Sequence, residues 1–165
     1  MRRLRIALLH LAPRVGDLEY NRQLVKTALT STAGLGAAGV VTPELWLYGV
    51  NVGILICADA YTPPLARRLQ AQGAQLLVSS AAWGPWPHGP DGAWEERPRE
   101  TGLPLFVCNR TGQDQTLSFM DAESVVIKDG QRLGSFQASR SAIVLVDCAP
   151  ATQELIGEEA QSVYL

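Results

Sequence analysis

Ile54-Leu55-Ile56-Cys57-Ala58-Asp59-Ala60 is an apolar run that stops at a cysteine followed by small and acidic residues. Such a run reads as a buried strand delivering a thiol to its C-terminal end, which is where open α/β sheets place their chemistry. Upstream, Val40-Val41-Thr42-Pro43-Glu44 repeats the design with a carboxylate in place of the thiol. Two strands that each end in a reactive group point to a nucleophile, Cys57, and its base, Glu44. A thiol attacks only as thiolate, so it needs a base within hydrogen-bond reach and a site that lowers its pKa. Each residue also has a plain reading: a cysteine after three aliphatic residues is a small core hydrophobe, and a strand-end glutamate is a solvated carboxylate.

Outward from this stretch, the chain alternates strand and helix patterns. Leu4 to His10 reads as a first strand, and residues 16–37 as a helix with Asp17 as N-cap, apolar positions at Leu18, Leu24, Val25, Ala28 and Leu29, and Gly34 or Gly36 as its stop. Val40 to Thr42 is a strand carrying Glu44. After Cys57, residues 62–74 give a second helix, with Pro63 and Pro64 in its first turn and Gly73 at its end. Gln75 to Ser79 returns as a strand and leads to Trp83, which stands at the Cys57 edge if the strands are parallel; this makes Trp83 a candidate substrate-pocket residue. Residues 83–92, WGPWPHGPDG, are too rich in proline and glycine for a regular element and read as a pocket-rim loop, with His88 on its surface. Residues 93–102 form a short helix interrupted or begun near Pro98, and Leu103 to Asn109 another strand. Residues 123–128, 131–136 and 142–147 form a meander whose first turn is Lys128-Asp129-Gly130-Gln131. Asp59 is expected to fix the turn after Cys57 by accepting backbone N–H groups.

The 165 residues, 47% of them hydrophobic, suffice for one domain with a core. A formal charge of -2 and a pI near 5.7 offer no electrostatic footprint for nucleic acid, and Met1-Arg2-Arg3-Leu4-Arg5 reads as a solvated terminus. The apolar stretch Ile6 to Leu11 is broken by His10 and is too short for a secretion signal or a membrane span, so a cytoplasmic protein is expected. Three cysteines, 51 and 40 residues apart, with no C-x-x-C and two histidines, suggest neither a disulfide framework nor a metal site. Cys108 and Cys148 read as structural thiols.

Six ordered segments resemble the nitrilase superfamily of carbon-nitrogen hydrolases: IALLHLAPRVGDLEYNRQLV, VVTPELWLYG, NVGILICADAY, GAQLLVSSAAW, LPLFVCNRTG and ESVVIKDGQRLGS. The resemblance implies an α-β-β-α sandwich, a mixed α/β fold, with two facing sheets and helices outside. It implies hydrolysis of a non-peptide C–N bond, in a small-molecule amide, nitrile or carbamoyl-amine, through a thioester on Cys57. Glu44 would take the thiol proton and pass it to the departing amine, and the backbone N–H of Ala58 would help hold the oxyanion. No metal or organic cofactor is implied, and neither a nucleic-acid nor a membrane partner; the assembly expected is a homodimer or a higher homo-oligomer.

One departure matters. The family has a third catalytic residue, a lysine, between the glutamate and the cysteine, whereas the twelve residues from Leu45 to Ile56 contain none. Lys26 precedes the glutamate and Lys128 lies at a strand-to-turn position, so neither fills the role. Losing one oxyanion donor typically costs about 10²–10³ in rate. The fold is therefore expected in a shortened form, a single domain over residues 1–165 with a central segment missing near Gly49-Val50. Chain geometry gives a further reason: strands ending at Glu44 and Cys57 must run parallel to bring them together, and a parallel connection takes a dozen or more residues. The alternative is a catalytically inactive, truncated protein serving as a binding or oligomerisation module. A thiol redox or acyl-transfer protein is disfavoured by the lack of a resolving cysteine.

Overall fold

Along the first strand, β1 (Leu4–His10), Ile6 and Leu8 point one way and Ala7 and Leu9 the other, and all four are buried. A strand apolar on both faces must be covered on both. Ala7 and Leu9 pack with Ala28 of helix α1 (Leu18–Gly34), whereas Ile6 and Leu8 pack with Val78, Phe106 and Val126 from a second sheet. The computed structural model that shows this arrangement describes residues 4–14, 17–37, 39–41, 45–47, 51–84, 91–149, 154–155 and 161–165.

In the first sheet β2 (Gly39–Val41) lies parallel to β1, and β3 (Leu45–Leu47) pairs antiparallel with β2. The second sheet runs β4 (Val52–Ile56), β5 (Leu76–Ala81), β6 (Leu105–Asn109), β7 (Glu123–Lys128) and β8 (Gln131–Gln137), the first three parallel and the last two antiparallel. Strand β9 (Ala142–Ala149) returns to the first sheet, antiparallel to β1, and carries β10 (Glu154–Leu155) and β11 (Gln161–Tyr164) on its other side. Helices α2 (Pro63–Ala71) and α3 (Ala93–Thr101) cover the outer face of the second sheet, where Leu55, Ala66, Leu77, Trp94 and Leu105 share one cluster. The result is helix, sheet, sheet, helix: the α-β-β-α sandwich.

Local signals explain much of this. Asp17 caps α1, its side chain accepting the Tyr20 N–H at 3.0 Å, which satisfies one of the orphan donors of the first turn. Gly53 lets α2 sit on β4: a Cβ there would lie 2.7 Å from Leu77 Cδ2 and 3.0 Å from Leu69 Cβ.

Strands β2 and β4 belong to different sheets. Three expectations need correction. Strand β9 does not continue the meander after β8, because Ala142 to Val146 are all buried and demand a central position, whereas β8 is a half-exposed edge. Helix α3 passes unbroken through Pro98, whose ring is buried on the same face as Trp94, Arg97 and Thr101; packing outweighs the one hydrogen bond that proline removes. Arg5 is not a solvated terminal residue: it donates to Asp147 at 3.0 and 3.3 Å and to the Leu35 carbonyl at 2.8 Å, tying β1 to β9 and to the end of α1. Among the described residues no helix is long and apolar enough to cross a membrane.

Candidate active site

Because β4, β5 and β6 are parallel, Cys57, Trp83 and Asn109 gather at one edge of the second sheet. The first sheet points the same way. Leu9 O accepts from Cys108 Sγ at 3.3 Å, and the Thr111 N–H donates to Leu11 O at 3.1 Å, so β1 runs alongside β6 in the same sense, and β2 is parallel to β1. Val41, at the end of β2, lies 3.6 Å through its carbonyl from the same Cys108 sulfur. The C-terminal end of β2, at Val41, therefore lies toward the Cys57 edge. The parallel relation expected of the two strands holds across the sandwich, between β2 of one sheet and β4 of the other. Glu44 itself, like His88, lies outside the described residues, as do residues 48–50 and with them the proposed junction. Strand β3 carries the chain back along β2, a return for which no helical crossover is required.

Cys57 adopts φ of 47°. This left-handed conformation is uncommon for a residue with a Cβ, costs about 1–3 kcal/mol, and persists where the surroundings over-determine it. Here the strand passes without a linker into one turn of 3-10 helix, Cys57–Tyr61. Asp59 Oδ2 accepts the Ile56 N–H at 2.9 Å and the Asp59 carbonyl accepts the Thr62 N–H at 2.9 Å, so Asp59 pins both ends of the turn, the role expected of it. A sharp strand-to-helix elbow of this kind lifts a nucleophile clear of its sheet. The first amides of such a turn, that of Ala58 among them, have no acceptor within it.

The other thiols contrast with Cys57, which is partly exposed. Cys108 is fully buried between the sheets, and desolvation pushes its thiol up to about 12; burial likewise pushes Cys148 up to about 11. Thiols held protonated in apolar surroundings are inert.

Trp83 is 8% exposed and sits between two aromatic rings, stacked on Trp94 at 5.2 Å and tilted against Tyr61 at 4.9 Å. Cys57 packs against the same cluster. Sequence reasoning missed Asn109, whose side chain holds the Trp83 backbone at both of its polar groups: Oδ1 accepts the Trp83 N–H at 3.0 Å and Nδ2 donates to the Trp83 carbonyl at 2.7 Å. Its only signal was a polar residue closing the apolar run Leu105-Phe106-Val107-Cys108.

Strand β4 forms the end of its sheet; of the side chains on its inner face Val52 packs against the core, whereas Ile54 is 46% and Ile56 63% exposed. Lysine is not supplied from elsewhere among the described residues. Lys26 projects from exposed α1, and Lys128 follows Ile127, which pairs with Leu105 at the start of β6, the edge opposite Cys57.

Comparison with known proteins agrees with this architecture. A mutant amidase from Nesterenkonia sp. AN1, bearing the Michael addition product of acrylamide at its active-site cysteine, superposes with a TM-score of 0.78 at 19% identity, covering 88% of this chain and 93% of that one. A probable nitrilase of Schizosaccharomyces pombe is 29% identical over 95 residues, 57% of this chain and 35% of the relative. A glutamine-dependent NAD(+) synthetase of Rhodobacter capsulatus is 33% identical over 113 residues, 66% of this chain and 20% of the relative. The chain thus spans about a third or less of these two curated relatives. The profile of the carbon-nitrogen hydrolases matches residues 48–156, from just after Glu44 through Cys57 to the end of β10. With two thirds of its length matched in this way, the chain belongs to the carbon-nitrogen hydrolase family.

Proposed function

We propose that Cys57 is the nucleophile of a hydrolase acting on small amides, nitriles or carbamoyl-amines, with Glu44 as its general base. The observation that carries this is the left-handed Cys57 elbow at the edge toward which β2 also points. In the proposed cycle Glu44 takes the thiol proton and the thiolate attacks the amide carbon. The oxyanion is held in part by the Ala58 N–H. Collapse breaks the C–N bond, the amine leaves with the proton from Glu44, and water hydrolyses the thioester. Trp83 supports the substrate site from behind, through its stack with Tyr61 and Trp94. Assembly as a homodimer, through the helices on the Cys57 side, belongs to the same reading.

Full turnover on this reading needs a cation that the twelve residues before Cys57 do not contain. A lysine-bearing segment belongs near Gly49-Val50, on the side where Ile54 and Ile56 stand uncovered. The same two observations favour a second reading, in which the 165-residue chain is a non-catalytic binding or oligomerisation module.

The test presents the purified chain with butyramide and, separately, with p-nitrophenyl acetate. The activated ester should acetylate Cys57 with release of nitrophenolate, whereas butyramide turnover should be negligible. Acetylation of Cys108 or Cys148 ahead of Cys57 would refute the nucleophile. Butyramide turnover that Cys57→Ala abolishes would refute the need for the lysine.

A further inference from the structure

Asp59 holds the strained Cys57 turn from within, and a second set of hydrogen bonds and ring contacts leads to it from outside. The β5–β6 ladder ends where the Arg110 N–H donates to the Ala81 carbonyl at 3.1 Å. Beyond that point the Asn109 side chain takes over as a surrogate peptide group, accepting from the N–H groups of Trp83 and Arg110 at 3.0 Å each and donating to the Trp83 carbonyl at 2.7 Å. Only an amide has an acceptor and a donor so placed; aspartate lacks the donor, and leucine lacks both. Asn109 is itself held, its N–H donating to Ser124 Oγ at 3.0 Å, and Ser124 shares a 2.8 Å hydrogen bond with buried His10 Nδ1. The clamp is thus anchored on β7 and on the opposite sheet. Its output is the position of the Trp83 ring against Tyr61, the last residue of the turn that Cys57 begins.

We propose that Asn109 is a positioning residue for the nucleophile, holding the Cys57 turn by way of Trp83 and Tyr61. This rests on Cys57 being the reactive thiol. Asn109 itself touches no reacting atom on this account; without it, the loop after β5 loses both backbone tethers and the elbow relaxes from its left-handed conformation.

The experiment measures the rate at which iodoacetamide alkylates Cys57 in the folded protein, across pH 6 to 9 and well below the melting temperature, together with the near-ultraviolet circular dichroism of the Trp83–Trp94 stack. Three variants are compared with the parent: Asn109→Ala, Tyr61→Leu, and Leu145→Ala as a destabilised control on the far side of the molecule, in the cluster under α1. Misplacing a reacting group by about 1 Å can cost about 10²-fold in rate, so Asn109→Ala should slow Cys57 by about tenfold or more. It should also lose the stacking signal, while Leu145→Ala melts earlier but labels like the parent. Tyr61 is 53% exposed, so Tyr61→Leu should fold and break the same path one step later, also slowing Cys57. Rates in Asn109→Ala and Tyr61→Leu that match the control or exceed the parent would overturn the proposal. A parent in which Cys57 reacts no faster than Cys108 would instead refute the functional reading; the dichroism of Asn109→Ala then still decides whether the clamp sets the stack, an unchanged signal overturning it.

Discussion

His10 lies fully buried between the sheets, its ring edge-on to Phe136 at 5.4 Å, with Nδ1 bonded to Ser124. Desolvation lowers its pKa from the ordinary 6.5, so the folded protein holds it neutral while the unfolded chain binds a proton. The folded-state pKa is depressed, the unfolded state binds more protons, and stability therefore falls as pH drops below about 6.5, by up to about 1.4 kcal/mol per pH unit. Urea denaturation between pH 7 and 5 should show this slope, and His10→Gln should flatten it; an equal slope in the variant would contradict the assignment. The single-residue features differ in how far the sequence reveals them. Cys57 stands out in the sequence through the family resemblance of its turn, since a cysteine after three aliphatic residues reads by itself as a small core hydrophobe, whereas Cys108 and Cys148, read as structural thiols, are both buried. The left-handed backbone at Cys57 was not legible, since it comes from the way Asp59 reaches back to the Ile56 N–H. Asn109 was hidden because its partner, Trp83, is 26 residues away in sequence and becomes a neighbour only when β5 and β6 pair.

Elements whose signals are local matched the sequence closely. Helix α1 starts after the Asp17 cap, α2 starts at Pro63, and the β7–β8 hairpin turns at Asp129 and Gly130, with φ of 52° and 79°. Strand partners were another matter, because pairing depends on which strand can be buried on both sides. The aliphatic run from Ala142 to Val146 says strand, yet only the burial of both its faces sends β9 to β1 rather than β8. Gly53 is a test at this scale. Gly53→Ala places a methyl against Leu77 and Leu69 and should destabilise the fold by about 1–3 kcal/mol, as overpacked cores do. It should also raise α2 from β4 and disturb the turn between them. Thermal melting reports the first effect and Cys57 labelling the second; a neutral substitution would mean that α2 sits further from β4 than this packing implies.

For the molecule as a whole, the α-β-β-α architecture followed from the resemblance of six ordered segments, and the two facing sheets with helices outside bear it out. Composition alone could say only that a core was affordable. The part of the second sheet around Cys57 exposes Ile54, Ile56 and Tyr61, which a partner or a further segment would cover. Light scattering at micromolar concentration should therefore give the mass of a dimer rather than the 17.8 kDa of one chain; a clean monomer would contradict that assembly. The central claim is that the thiol of Cys57, alone of three, is built to react. The most direct measurement is brief iodoacetamide treatment of the folded protein at pH 7.5, followed by peptide mapping. The account predicts carbamidomethyl on Cys57 before either other thiol, since burial holds Cys108 and Cys148 protonated with pKa values of about 12 and about 11. Label on Cys108 or Cys148 first, in protein that is still folded, would contradict it.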